Sequence, residues 1–317
     1  MGIVVSMKRV FLALVAVAGV LGAVTARADD LAPVKLGISK LGATTSVWVA
    51  QQNGFFKKHG LDLEVVEFPL TDQSIPILQS KRVDIVLQIP GTAMQAKEQG
   101  FDIVLVGQNE TAGTTPPVSN AILVAGNSSI QGVEGLKGKR IATSSTHNQG
   151  FAAVKARFQK AGLSTDDMQI TTAPFSAAGD LLRTGQADAV VALDPYTTQI
   201  IKAGNGKAIS WYMIETISDQ PVGSWWALRS WAQAHQKEAA AFNASIAEAH
   251  AWLNADPDRA RKATADYSGL DLALVKDMPL ISWKSVVDPK AWQAVADMMH
   301  AQGLLTNHHD VAEYLLK

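Results

Sequence analysis

Short apolar runs alternate with helical periods along the first two thirds of the chain, and one block of that pattern occurs twice, about a hundred residues apart. The first copy runs from a strand-like Val34-Lys35-Leu36-Gly37-Ile38, through a helical stretch ending Lys58-His59-Gly60-Leu61, to residues 78–87 around Asp84. The second runs from Lys139-Arg140-Ile141-Ala142, through a helix ending Lys160-Ala161-Gly162-Leu163, to residues 182–191 around Asp188. Each copy predicts a βαβαβ lobe with a mainly parallel sheet. Ligands of open α/β sheets sit outside the carboxyl ends of the strands, where helix N-termini present free N–H groups. Two such lobes facing one another therefore predict a cleft for a small molecule.

Beyond the second copy the pattern changes to long helical runs rich in alanine. Apolar residues at three and four spacing (Ala239, Phe242, Ile246, Ala249, Leu253) predict a helix over 231–254, with Ser230 as N-cap. Further helices are expected at 258–268, closed by Gly269, at 289–302, capped by Asp288 with Pro289 in its first turn, and at 309–316. Two extended segments, 120–124 and 221–228, flank the second copy and predict the crossings between lobes. Lobe one is then 31–120 with 221–317, lobe two is an insertion over 121–220, and the crossings form a two-strand hinge.

The chain opens on Lys8-Arg9, an apolar run over 10–24 and Ala26-Arg27-Ala28, which together predict a signal peptide cut after Ala28. No later segment has the roughly twenty apolar residues of a membrane span, so the mature chain is expected to be soluble, free in a periplasm and monomeric. There is no cysteine, so a large core must supply stability without disulfides. Removing Lys8, Arg9 and Arg27 with the leader leaves 25 basic residues against 29 acidic ones, a formal charge of −4. Charges of both signs mix along helices, the pattern of a solvated face, and no basic stripe recruits nucleic acid.

Catalytic signatures are missing: no G-x-S-x-G, H-E-x-x-H or phosphate-binding glycine loop occurs, and no cofactor is implied. His308-His309-Asp310 reads as the capping region of the last helix rather than a metal site, and His235, His250 and His300 as solvated helical positions. What remains is four polar turns at predicted strand ends. The first spans 39–46 and offers Lys40, Thr44 and Thr45; the second spans 88–93 and offers Gln88 and Thr92. The third spans 143–148, with Ser144, Ser145, Thr146 and His147, and the fourth spans 193–196, with Asp194 and Tyr196. A hydroxyl before a helix is an N-cap on its own, and with the first N–H groups it can hold an anion. Of the adjacent Trp225 and Trp226 at the return crossing, alternation lets only one face a ligand, and Trp225 is carried as that candidate.

These residues resemble a known family, the periplasmic substrate-binding proteins of ABC importers in the nitrate, sulfonate and taurine group, related to binders of thiamine pyrimidine precursors. The similarity rests on residues 52–61 (Gln-Asn-Gly-Phe-Phe-Lys-Lys-His-Gly-Leu), 120–124, the Gly-Leu-Lys-Gly-Lys-Arg-Ile-Ala run over 135–142, and Asp194-Pro195-Tyr196. It implies a type II periplasmic-binding fold, two α/β lobes joined by a two-strand hinge. It also implies ligand contacts at Lys40 to Ser46, at Ser144 to His147 and at Asp194 to Tyr196. The chain departs from the family in having Leu193 before Asp-Pro-Tyr and Asn148-Gln149 after the third turn. No arginine occurs in the four turns, so no bidentate clamp on sulfonate or carboxylate is visible.

The resulting expectation is a protein that does no chemistry. It captures a small anionic organic solute, with aliphatic sulfonates and taurine first and a pyrimidine, nitrate or aromatic carboxylate as alternatives, and delivers it to an ABC permease and its ATPase. An ammonium on the solute would meet Asp194 or Glu110. A ligand-presenting sensor subunit fits the same pattern. A pyrimidine-synthesising enzyme sacrificing His147 fits the fold but not the leader.

Overall fold

The apolar positions Val34, Leu36 and Ile38 are buried, while Pro33 and Lys35 between them face solvent, as the alternation along that run requires. The computed structural model describes residues 31–68 and 73–316, so the expected signal peptide lies outside the described residues. The strands are Ala32–Ile38 (β1), Leu61–Glu67 (β2), Ile85–Gln88 (β3), Ile103–Thr111 (β4), Ala121–Ala125 (β5), Arg140–Thr143 (β6), Gln169–Thr172 (β7), Ala189–Ala192 (β8), Gly206–Ser210 (β9), Pro221–Leu228 (β10) and Ser282–Trp283 (β11). They form a six-stranded sheet, β11-β4-β10-β3-β1-β2, and a five-stranded one, β7-β6-β8-β5-β9. The repeat seen in the sequence is the parallel triple of each: β2-β1-β3 in the first, β7-β6-β8 in the second.

The chain passes from the first sheet to the second between β4 and β5 and returns between β9 and β10. The two crossings bond to one another: Ala112 N–H donates to Gln220 O and Asp219 N–H to Gly113 O, both at 2.9 Å. Asp219 takes a left-handed φ of +55° at this point. Its carboxylate accepts from the Thr111 hydroxyl and the Lys284 ammonium, each at 2.5 Å.

Packing adds a further connection. On one face of the first sheet, the helices Pro90–Glu98 and Pro289–Ala301 share an apolar cluster with the helix Gln149–Lys160 of the second lobe, through Met94, Trp292, Met299, Phe151 and Val154. The other face of the first sheet carries the helices Thr45–Gln52, Gln236–Asn254 and Pro257–Ser268 over Leu36, Trp225 and Phe242.

Three helical expectations change. The run 231–254 is two helices, Arg229–Ala234 and Gln236–Asn254, broken at His235, whose ring stacks on Trp231 with centroids 5.0 Å apart. Residues 309–316 hold a single 3-10 turn, Val311–Glu313, capped by Asp310. A polar knot holds that tail in place: Glu98 accepts from Thr306 N–H, Asn307 N–H and His309 Nε2, and the Tyr314 hydroxyl meets His309 Nδ1 at 2.5 Å. Leu105 N–H then bonds Tyr314 O, and Leu315 bridges to β4. His250, expected at a solvated position, is buried. The helix Pro289–Ala301 carries the expected Asp288 cap and Gly269 ends Pro257–Ser268 at φ +76°, while Asp256, not foreseen as a cap, accepts the first N–H groups of the latter. No helix among the described residues is long and apolar enough to cross a membrane.

Candidate functional site

The first turn leaves β1 through Ser39 and Lys40 and becomes a 3-10 turn, Gly42–Thr44, that leads directly into the helix Thr45–Gln52. Thr44 is fully buried, and its hydroxyl bonds Leu41 O at 2.8 Å, Ser39 O at 3.2 Å and the Tyr267 hydroxyl at 2.9 Å. Thr44 therefore braces the turn, which corrects its reading as a ligand contact. Thr45 is also fully buried, but its Oγ1 has no partner, and neither has Ser39 Oγ. Lys40 is exposed, its ammonium 5.5 Å from the Tyr267 ring centre.

Behind this turn runs a buried polar chain absent from the sequence reading. Ser46 Oγ donates to Asn109 Oδ1 at 2.9 Å, and Asn109 Nδ2 donates to Ala43 O at 3.0 Å. His250, 3% exposed, sits between Asn109 Oδ1 at 3.2 Å and Ser285 Oγ at 2.6 Å. Burial pushes its imidazole down to about 3, so the ring is neutral. Nε2–H then donates to Asn109 and Nδ1 accepts from Ser285, and the chain locks the turn onto β4.

The second and third turns touch. Gly91 N–H donates to Gln149 Oε1 at 3.1 Å, and Gln149 Nε2 donates to Pro221 O at 2.8 Å and Gln220 Oε1 at 3.1 Å. A Cβ on Gly91 would lie 3.0 Å from both Gln149 Cβ and Met299 Cε, so this approach calls for glycine. Gln95 Nε2 adds a bond to His147 O at 2.8 Å. Gln88 Oε1 accepts from Ile89 N–H and its Nε2 donates to Ser74 Oγ, while Thr92 remains half-buried. In the third turn the cap of Gln149–Lys160 is Asn148, whose Oδ1 accepts Phe151 N–H at 2.9 Å, rather than a serine or threonine. Ser144 and Ser145 are half-buried; Ser145 Oγ accepts His147 N–H, and Thr146 Oγ1 meets His147 Nδ1 at 2.9 Å.

In the fourth turn Asp194 Oδ1 accepts from Thr198 N–H at 3.0 Å and from its hydroxyl at 2.7 Å, and Asp194 N–H donates to Ser119 Oγ in the first crossing. Its Oδ2 is buried without a partner, and burial pushes the carboxyl up against the pull of Thr198. Tyr196 borders a hollow of about 240 Å³ within the second lobe, with Asp180, Gln199 and Asn205.

Trp225 packs within the first lobe, with its indole Nε1 left without a partner. It has no exposed surface and packs edge-on against Phe242 at 5.2 Å, and Trp226 is equally buried on the opposite face against Trp292 and Tyr314. Alternation holds, but helices cover both faces of β10. A hollow of about 250 Å³ lies at the other end of the first sheet, lined by Leu78, Lys81, Asp84 and Trp231. Asp84 is occupied there by Lys35 N–H at 2.8 Å, so that hollow presents no unpaired carboxylate, and the polar turns remain the better site. Among the described residues no group of three or more side chains suits a metal ion.

A family model described as NMT1/THI5 like matches residues 43–260. A Haemophilus influenzae protein named for thiamine biosynthesis is 25% identical over 289 residues, covering 86% of this chain and 87% of its own. An Escherichia coli protein named for binding aliphatic sulfonates is 28% identical over 200 residues, 61% of this chain and 60% of its own. Among solved structures, the periplasmic aliphatic sulphonate binding protein SsuA of Escherichia coli superposes with a TM-score of 0.76 at 20% identity, covering 90% of this chain and 97% of that one. SsuA of Xanthomonas axonopodis pv. citri, bound to MOPS, gives 0.73 at 24% over 90% and 98%. The periplasmic nitrate-binding protein NrtA of Synechocystis gives 0.67 at 14% over 90% and 85%. The fold is that of the periplasmic binding proteins, and, matched by the model over more than half of its length, the chain belongs to the NMT1/THI5-like family.

Proposed function

We propose that this chain is the solute-binding component of an ABC importer. It captures a small organic solute with an anionic end, of the aliphatic sulfonate or taurine type, between lobe one (31–120 and 221–317) and lobe two (121–220), and delivers it to the permease and its ATPase. The observation that carries the reading is the placement of unpaired buried polar atoms: Ser39 Oγ and Thr45 Oγ1 at the end of β1, and Asp194 Oδ2 at the end of β8. Leaving such a group unpaired costs about 1–3 kcal/mol, and a solute meeting groups of both lobes offsets that only when the lobes close. Binding then selects the closed state, and the chain does no chemistry on the solute. The leader, cut after Ala28, delivers a monomer to the periplasm, in keeping with the periplasmic relatives.

A second reading, a pyrimidine of thiamine synthesis as the solute, is favoured by the length of the match to the Haemophilus influenzae protein and by Asp194 Oδ2 as an acceptor for a ring amine. Thermal unfolding against sulfonates, taurine, nitrate, aromatic carboxylates and pyrimidines separates the two. A solute at a hundred times its Kd stabilises the native state by about 2.7 kcal/mol, a shift of a few degrees. A shift confined to pyrimidines replaces the sulfonate reading, and no shift with any class removes it.

A further inference from the structure

We infer that the solute carries a protonated amine or a comparable N–H cation, and that Glu110 is the residue that selects for it. The inference rests on the solute-binding reading above and adds the chemistry of the solute's second end.

Glu110 is the penultimate residue of β4 and pairs with Trp283 of β11 and Gly223 of β10. Directly opposed residues share a face of the sheet, and Trp283 belongs to the cluster that includes Trp225 and Phe242. Glu110 is thereby placed on the face carrying the first turn; the register shift between Gly223 and Ser224 leaves Asn109 unopposed and interrupts the alternation there, so Asn109, which holds that turn through Ala43 O and Ser46, lies on the same side. A Cβ at Gly223 would lie 2.9 Å from Glu110 Cγ and Oε1, so the carboxylate lies across β10 where only a glycine leaves it room. Glu110 keeps some access to solvent, yet burial alone pushes its carboxyl up to about 7.

Among the described residues nothing pairs with this carboxylate, and the charged groups on the elements around it are engaged elsewhere. Lys284 binds Asp219, Lys40 lies over Tyr267, and His250 is neutral between Asn109 and Ser285. The unpaired groups nearest in the fold, Ser39 Oγ, Thr45 Oγ1 and Trp283 Nε1, include donors suited to an anionic end. A plain anion would leave Glu110 unpaired and repelling, whereas a cationic group would meet it, so the residue works by rejection as much as by attraction.

Calorimetry on the purified protein tests this with two pairs that differ only by an amino group: taurine against ethanesulfonate, and 4-amino-2-methylpyrimidine against 2-methylpyrimidine. The amino member of one pair is expected to bind at least tenfold more tightly, and taurine, whose amine is already protonated, is expected near pH 7 to release a fraction of a proton, read from titrations in buffers of different ionisation enthalpy. Glu110→Gln is expected to bring that pair within threefold and abolish the proton release, with an unchanged circular dichroism spectrum. A merely structural role would weaken both members equally and leave their ratio intact. Equal binding within both pairs, no binding by any of the four, or discrimination that survives Glu110→Gln overturns the inference. Equal binding of taurine and ethanesulfonate does so while leaving the sulfonate-binding reading standing.

Discussion

Asp188 holds Arg140 twice, accepting its backbone N–H at 2.9 Å on Oδ2 and its guanidinium at 2.9 Å on Oδ1. Asp84 holds Lys35 N–H in the same position of the other lobe at 2.8 Å, and each aspartate returns its own N–H to the carbonyl of its partner. The repeated aspartate is thus a clip joining the third strand of each parallel triple to the first. Asp188→Ala is expected to destabilise the fold by roughly 1.5–3 kcal/mol, the range for hydrogen bonds to charged groups. The Arg140 guanidinium holds the Asp188 carboxyl below its ordinary range. Its contribution is therefore complete above the ordinary carboxylate range and lost as pH falls through the lowered folded value, so urea midpoints of variant and parent should draw together as pH falls below about 4.

His250 titrates in the opposite chemical sense with the same acid sensitivity. Its folded value of about 3 lies below the ordinary 6.5, so the unfolded chain takes up the proton first. Stability from this group is complete above pH 6.5 and declines as pH falls toward 3, by about 2 kcal/mol at pH 5. His250→Gln should lower the melting temperature at pH 7.5 but flatten its fall between pH 7.5 and 5.

Gln149 is 2% exposed and is the one side chain that bonds Gly91, Gln220 and Pro221 together. Gln149→Ala leaves a buried N–H and carbonyl unpaired and should cost about 2–3 kcal/mol. Gly91→Ala should also destabilise, because Gln149 and Met299 must give way. Urea unfolding measures both.

Trp225 and Asp194 should separate cleanly in a ligand-induced thermal shift. Trp225→Phe is expected to lower the melting temperature of the free protein, since the indole packs on Phe242, and to leave the shift intact. Asp194→Asn keeps an oxygen for Thr198 and removes a buried charge, so the free protein should hold its stability while the shift shrinks.

The local devices were legible in the chain: the two parallel triples, the Asp288 cap and the stop at Gly269 all depend on residues a few positions apart, where periodicity and capping chemistry act. The four polar turns were found for the same reason. What each turn residue does was not legible. Thr44 is occupied by Tyr267, 223 positions away, while its neighbour Thr45 is left unpaired. His250 is neutral only because Asn109, 141 positions away, and Ser285 close over it. Alternation placed Trp225 and Trp226 on opposite faces of their strand, but it could not say what covers either face. Residue type and spacing thus determined the repeated lobe and the helix ends at Asp288 and Gly269, but not the break at His235 or the single turn at the tail. Tertiary structure alone decided which polar groups found partners and which stayed open, because burial and hydrogen bonding depend on segments that meet only after the chain has folded.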